Sequence, residues 1–200
     1  MATATRPRTT LADLLPGERV RDAVLVVLGA GLTGLAAQVS FHIPGTPVPV
    51  TGQTFAVLLT GAALGFGRAS LSMILYMAAG VAGVPWYANH GSGFGGPAFG
   101  YIVAFVGAAA LVGWLAERGG DRTLPRTLLT MLAGTVAIYL VGAAWLALDL
   151  HLSATTAFNL GVRPFLLGDA IKLLLATGLL PGAWWLAGRG RDAGARSPRW

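Results

Sequence analysis

The sequence predicts an all-α integral membrane protein with six transmembrane helices and both termini on the cytoplasmic side. Three observations predict it. Of 200 residues, 54% are hydrophobic and only 11% are charged, where soluble domains carry about 25% charged residues. Apolar stretches approaching the roughly 20-residue length of a helical span follow one another, leaving no room for a sizeable soluble domain. The arginines, which are all but one of the basic residues, fall at the ends of those stretches, as a topology signal requires.

The elements follow in order. Residues 1–21 carry proline, arginine, aspartate and glutamate without an apolar core. They read as a polar cytoplasmic tail rather than a signal peptide. The membrane domain runs over 22–187. Its first span, 22–43, ends in Pro44-Gly-Thr-Pro-Val-Pro-Val-Thr51, a loop without charge. Apolar sequence resumes at 54 and continues to 84, interrupted by Gly65-Phe-Gly-Arg68. Two short helices, 54–66 and 69–83, joined by a tight turn fit this pattern, because short helices are tolerated inside a bundle. A single span here would give five helices in all. A glycine-rich loop, 85–97, precedes a fourth span at 98–116. A polar loop, 117–126, leads to the fifth span, 127–148. The sixth begins at Pro164, a residue favoured at the first helical position, and ends near 187. A basic cytoplasmic tail, 188–200, follows.

With six helices the arginines sort cleanly. Arg6, Arg8, Arg19, Arg21, Arg68, Arg118, Arg122, Arg126 and the four tail arginines share one side, and only Arg163 lies on the other. Basic residues concentrate on the cytoplasmic side. Five helices would place the tails on opposite sides and spoil the sorting. The net charge of +6 is therefore read as topology, and nucleic-acid binding is set aside. The absence of cysteine excludes disulfides and thiol chemistry.

Three loops then face outward: 44–53, 84–97 and 149–163. Within the sixth span stand Asp169 and Lys172. A charge in hydrocarbon costs roughly 2.5–3.5 kcal/mol on insertion scales, so two need a reason. Their i,i+3 spacing puts carboxylate and ammonium on one helix face, which must point into protein or a wet cavity. The depth from the outer end is about 8–12 Å at 1.5 Å per residue. Buried ion pairs are poor stabilisers, so recognition of a small polar ligand is the favoured reading. Gln53, Asn89 and Tyr101 supply further polar groups at outward helix ends and loops, and Trp86, Tyr87, Phe94 and Phe99 supply apolar area nearby. Together they describe a mostly apolar pocket with a few placed polar groups.

Other patterns carry less. His42, His90 and His151 are scattered without metal-ligand spacing. The run Gly91-Ser-Gly-Phe-Gly-Gly96 lacks the preceding strand of a nucleotide fingerprint. No catalytic arrangement is present, so an enzyme is not expected, nor is a cofactor or metal. On the first span, Ala30, Thr33, Gly34 and Ala37 form a ladder of small residues that lets another helix approach closely. Internal packing is its default use and partner docking the other.

Four motifs now resemble a known family. They are Pro47-Val-Pro-Val-Thr-x-Gln-Thr54, Gly83-Val-Pro85, Gly95-Gly-Pro97 with Gly100-Tyr101, and Pro164-Phe-x-x-Gly-Asp-x-x-Lys172. In order and spacing over about 22–187 they resemble BioY, the biotin-binding S component of energy-coupling-factor transporters. The resemblance implies six helices and a biotin pocket near the outer face, closed by the loop after the first helix. It implies Asp169 and Lys172 as pocket residues on the last helix, Asn89 as a polar contact in the loop after the third, and Tyr101 as the Gly-Tyr position. Gln53, Trp86 and Tyr87 join them by proximity. It also implies docking of a transmembrane coupling protein through small residues on the first helix, with ATPase subunits supplying energy. Here the ladder holds Thr33 and Gly34 where the family usually has alanine. The site would offer a ureido ring both an acceptor and a donor. A stand-alone ion-coupled carrier and a non-transport scaffold subunit are the alternative readings.

Overall fold

A computed structural model of the chain describes residues 10–14 and 19–195. Residues 1–9, 15–18 and 196–200 of the expected tails, with Arg6, Arg8, Arg196 and Arg199, lie outside the described residues. The helices are α1 Arg19–Gln38, α2 Gln53–Val81, α3 Phe99–Glu117, α4 Leu124–Asp149, α5 Ala154–Gly161 and α6 Leu166–Ala195. Two short strands, β1 Ser40–Phe41 and β2 Val50–Thr51, pair antiparallel with Ser40 opposite Thr51. Five stretches among the described residues are long and apolar enough to cross a membrane: α1, α2, α3, α4 and Ala154–Leu186.

The second of these is not one rod. At Gly65 the backbone leaves helical values (φ 82°, ψ 176°), dividing α2 into arms of 53–64 and 66–81. Gln53 Nε2 donates to Tyr76 Oη at 2.6 Å across 23 positions. A continuous helix would separate them by about 34 Å, so the arms fold back on each other. Glycine is required at the bend twice over. Its φ lies where side chains are disfavoured, and a Cβ there would stand 2.6 Å from Glu117 Oε1. That carboxylate, at the end of α3, accepts from Phe66 N at 2.8 Å. It satisfies an amide that the second arm leaves without a helical partner. The bend falls at Gly65, the first residue of the interruption expected at 65–68.

The face of α1 that carries the small-residue ladder is turned inward. Ala30, Thr33, Gly34 and Ala37 are all buried, and Thr33 Oγ1 lies 3.8 Å from Met73 Sδ on the second arm of α2. The close approach they permit is used inside the molecule, which is the default reading of this ladder. Val24, Val27, Leu28 and Leu35 form the outward face.

Two further boundaries differ from expectation. The loop expected to face outward, 149–163, contains α5, capped by Ser153, whose Oγ accepts from Thr156 N at 3.2 Å. A short polar run supplied a cap where only a connection was read. The last helix starts at Leu166 because Arg163–Phe165 form a 3-10 turn. Asp169 therefore lies in the first turn of α6, shallower than expected, where the helix dipole favours negative charge. At its other end α6 continues to Ala195, past the expected start of the basic tail at 188.

Charge gathers at one end of the bundle. Arg68 pairs with Asp13 and reaches Asp22 at 3.8 Å, beside the Gly65 bend. In the α3–α4 loop, Asp121 accepts from Trp184 Nε1 at 2.6 Å, and the Arg122 guanidinium lies 3.5 Å over the Trp184 ring. Burial pushes the Asp121 carboxyl up, against the pull of Trp184 and Arg122. The opposite end holds the β1–β2 hairpin, the 84–98 segment and α5.

Candidate functional site

The site lies at that opposite end. Asp169 and Lys172, one turn apart on α6, form an ion pair of 2.7 Å. The pair is knitted to other elements. Lys172 Nζ also donates to Thr51 O at 2.8 Å and Thr54 Oγ1 at 2.9 Å. Thr54 Oγ1 donates to Asp169 Oδ1 at 3.2 Å, and Tyr139 Oη donates to Asp169 Oδ2. An ammonium has three donors, and all three are engaged. A carboxylate accepts about four hydrogen bonds, and Asp169 receives three, which leaves it room for one more donor.

Two adjoining spaces surround this network. The larger, about 280 Å³, is lined by Gln53, Tyr87, Asn89, Tyr101 and Phe99 among others. The smaller, about 30 Å³, is lined by Thr54, Tyr139, Phe165, Asp169 and Lys172. Val48, Pro49, Thr51 and Tyr101 border both. The segment between β1 and β2 is thus the partition. It is anchored by Thr46, whose Oγ1 donates to Leu160 O of α5 at 2.7 Å.

The residues expected from sequence do different things. Gln53 is buried with both ends of its amide engaged: Nε2 on Tyr76, and Oε1 accepting from Thr51 Oγ1 at 2.9 Å. Tyr101 gives its hydroxyl to Gly161 O at 2.6 Å. Its ring lies against Gly142 of α4, where a Cβ would come within 2.4 Å of it. It offers the cavity a ring face, not a free donor. Tyr87 likewise donates to Met77 O at 2.7 Å, and burial pushes its phenol up, so it stays neutral. Asn89 stands at the mouth with a left-handed backbone (φ 57°, ψ 38°).

Trp86 lines neither of these two spaces. Its indole donates to Tyr76 O at 2.9 Å and its side chain lies against Gly34 of α1. Phe94 packs edge-on to Trp145 and near Phe99, roofing the site rather than lining it. His42 borders the larger space. Among the described residues no three His, Cys, Asp or Glu side chains gather as metal ligands do.

Thr51, Thr54 and Tyr139 were not singled out from sequence. A lone tyrosine in an apolar span is a usable signal for Tyr139. Thr51 and Thr54 stand beside Gln53 in the proline-rich motif, but only the fold brings them to α6.

Comparison with known proteins agrees with this architecture. The sequence matches the BioY family over residues 5–189. A probable biotin transporter BioY of Pyrococcus horikoshii is 38% identical over 161 residues, covering 79% of this chain and 93% of the relative. Biotin transporters BioY of Thermotoga maritima and Rhizobium etli are 33% and 31% identical, covering 76% and 78% of this chain and 85% and 89% of their own lengths. Among solved structures, the S-component for biotin from an ECF-type ABC transporter superposes with a TM-score of 0.73 at 21% identity, covering 81% of this chain and 89% of that one. At that identity the likeness is one of fold.

Proposed function

The chain belongs to the BioY family, and from that membership we propose that it takes up biotin across the cytoplasmic membrane as the substrate-capturing S component of an energy-coupling-factor transporter. The observation that carries the site assignment is the pair of buried Asp169 and half-buried Lys172, bordering a cavity of about 280 Å³ through a shared wall. Biotin's ureido ring presents N–H donors and a carbonyl on one edge. Asp169 has acceptor capacity for an N–H. Lys172 reaches the carbonyl by exchanging one of its three present acceptors, and Asn89 at the mouth offers a further amide. The bicycle and valeryl chain would fill the space between Phe99, Tyr87 and Tyr101. A site built on buried hydrogen bonds discriminates against analogues that leave them unmade.

The finer topology is part of the proposal. The fold-back at Gly65 supports six crossings, with both termini cytoplasmic. Charge gathered at the end holding the start of α1, the Gly65 bend and the α3–α4 loop supports the same orientation. In this orientation the site opens outward beneath the 42–49 segment, which would close over the ligand. Reorientation and release inward would then need a transmembrane coupling protein and ATPase subunits.

Equilibrium binding of labelled biotin to the purified chain in detergent tests the reading, with dethiobiotin, riboflavin and thiamine as competitors. Tight binding displaced by unlabelled biotin but not by riboflavin or thiamine is expected. A folded preparation that binds no biotin would sink the assignment.

A further inference from the structure

The end of α1 and the start of β1 reach the mouth of the cavity through two side chains, Gln38 and Ser40, that do not line it. Gln38 Nε2 donates to Gly34 O of its own helix at 3.0 Å, and to Trp86 O and Tyr87 O at 3.2 Å each. Its Oε1 accepts from His90 N at 3.3 Å. Two residues on, Ser40 Oγ donates to Asn89 Oδ1 at 2.8 Å. The α1–β1 junction thus holds the backbone at both sides of Asn89 and the amide of Asn89 itself.

The held segment needs holding. Asn89 and His90 both have φ of 57°, a left-handed region that is uncommon outside glycine. Such strain persists only where the surroundings over-determine it. A closed turn within the segment, with Tyr87 N on Gly91 O at 3.0 Å and Gly91 N on Ala88 O at 3.1 Å, does part of this. Gln38 ties that turn to α1.

We infer that Gln38 and Ser40 are positioning residues for biotin, acting through Asn89. The inference rests on the biotin reading above. Ser40 holds the amide by its oxygen: with Oδ1 accepting from the serine hydroxyl, the Asn89 nitrogen is the end left to donate. Gln38 fixes the backbone that carries it. The cavity mouth therefore presents a donor, suited to a ligand oxygen, while the donors of Lys172 are already committed.

The test is a double-mutant cycle on the full chain in detergent, read by equilibrium binding of labelled biotin. Gln38→Glu and Ser40→Ala should each weaken binding by about tenfold, the scale of one lost hydrogen bond. Ser40→Thr, which keeps the hydroxyl, should restore it. In an Asn89→Ala background neither change should cost more than about twofold, since residues acting through one group are not additive. Full additive losses in that background would overturn the inference and assign both residues a general structural role. Singles without effect on a binding-competent wild type would overturn it as well. A wild type that binds no biotin would remove the biotin reading and the inference together. Melting curves are recorded alongside, and if Gln38→Glu fails to fold, the Ser40 cycle decides alone.

Discussion

The Tyr139 hydroxyl on α4 donates to Oδ2 of Asp169 on α6, thirty positions along the chain. The carboxylate is therefore oriented by a neighbouring helix as well as by Lys172 on its own. Thr54, from the start of α2, completes the arrangement. Three elements converge on one side chain, so its orientation depends on all of them.

Tyr139→Phe removes that donor and little volume. Hydrogen bonds to charged groups are worth about 1.5–3 kcal/mol, so biotin affinity should fall by at least about tenfold while the protein stays folded. Isothermal titration on purified variants checks this, and unchanged affinity would show that Asp169 is held adequately without α4.

Asp169→Asn and Lys172→Ala should each weaken biotin binding by more than about tenfold, because each leaves the partner buried without its counter-charge. Lys172→Ala also frees Thr51 O and Thr54 Oγ1. It should therefore loosen the 42–51 hairpin, seen as faster hydrogen exchange of Val50 and Thr51, whereas Asp169→Asn should not. Equal binding by both variants and wild type would break the site assignment.

At the bend of α2, Gly65→Ala forces a side chain into a positive-φ backbone and against Glu117 and Thr10. Strain of this kind costs of order 1–3 kcal/mol. The melting temperature in detergent should drop by roughly 2–10 °C. An unaltered melting temperature would mean that the arms are not held at this bend.

The pH dependence of stability should carry the signature of Asp121. Its carboxyl is raised in the folded protein, chiefly by burial. Between the unfolded carboxylate value of about 3.9 and the higher folded value, the folded state holds more protons. Stability is therefore lost as pH rises through that window. Asp121→Asn keeps an acceptor for Trp184 and removes the ionisation. Melting curves across pH should flatten in the variant relative to wild type, and parallel curves would count against the assignment.

The pairing of Asp169 with Lys172 was legible because i,i+3 spacing on a helix is a local matter, and because charge in an apolar run is conspicuous. The division of the 54–84 stretch was legible for a similar reason: Gly65-Phe-Gly-Arg68 interrupts an apolar pattern. The role of Trp86 was misplaced, since proximity in sequence to Tyr87 does not say which of two adjacent side chains turns toward a cavity. The ladder of Ala30, Thr33, Gly34 and Ala37 announced a close approach but not the partner. A small residue permits contact without choosing it, and here the second arm of α2 and Trp86 took the place.

What the sequence determined by itself was therefore the class and the landmarks. Hydropathy, arginine placement and motif spacing depend on composition and short-range periodicity, and they mark a membrane bundle with a polar pair near one end of its last helix. What only the tertiary structure decided was who meets whom. Tyr139 and Thr54 reach Asp169, Thr51 reaches Lys172, and Gln38 and Ser40 reach the turn that bears Asn89. These contacts join positions 30 to 121 apart. Hydrogen bonds at such separations follow from how helices pack and where the chain bends, and no local pattern in the residues themselves encodes them.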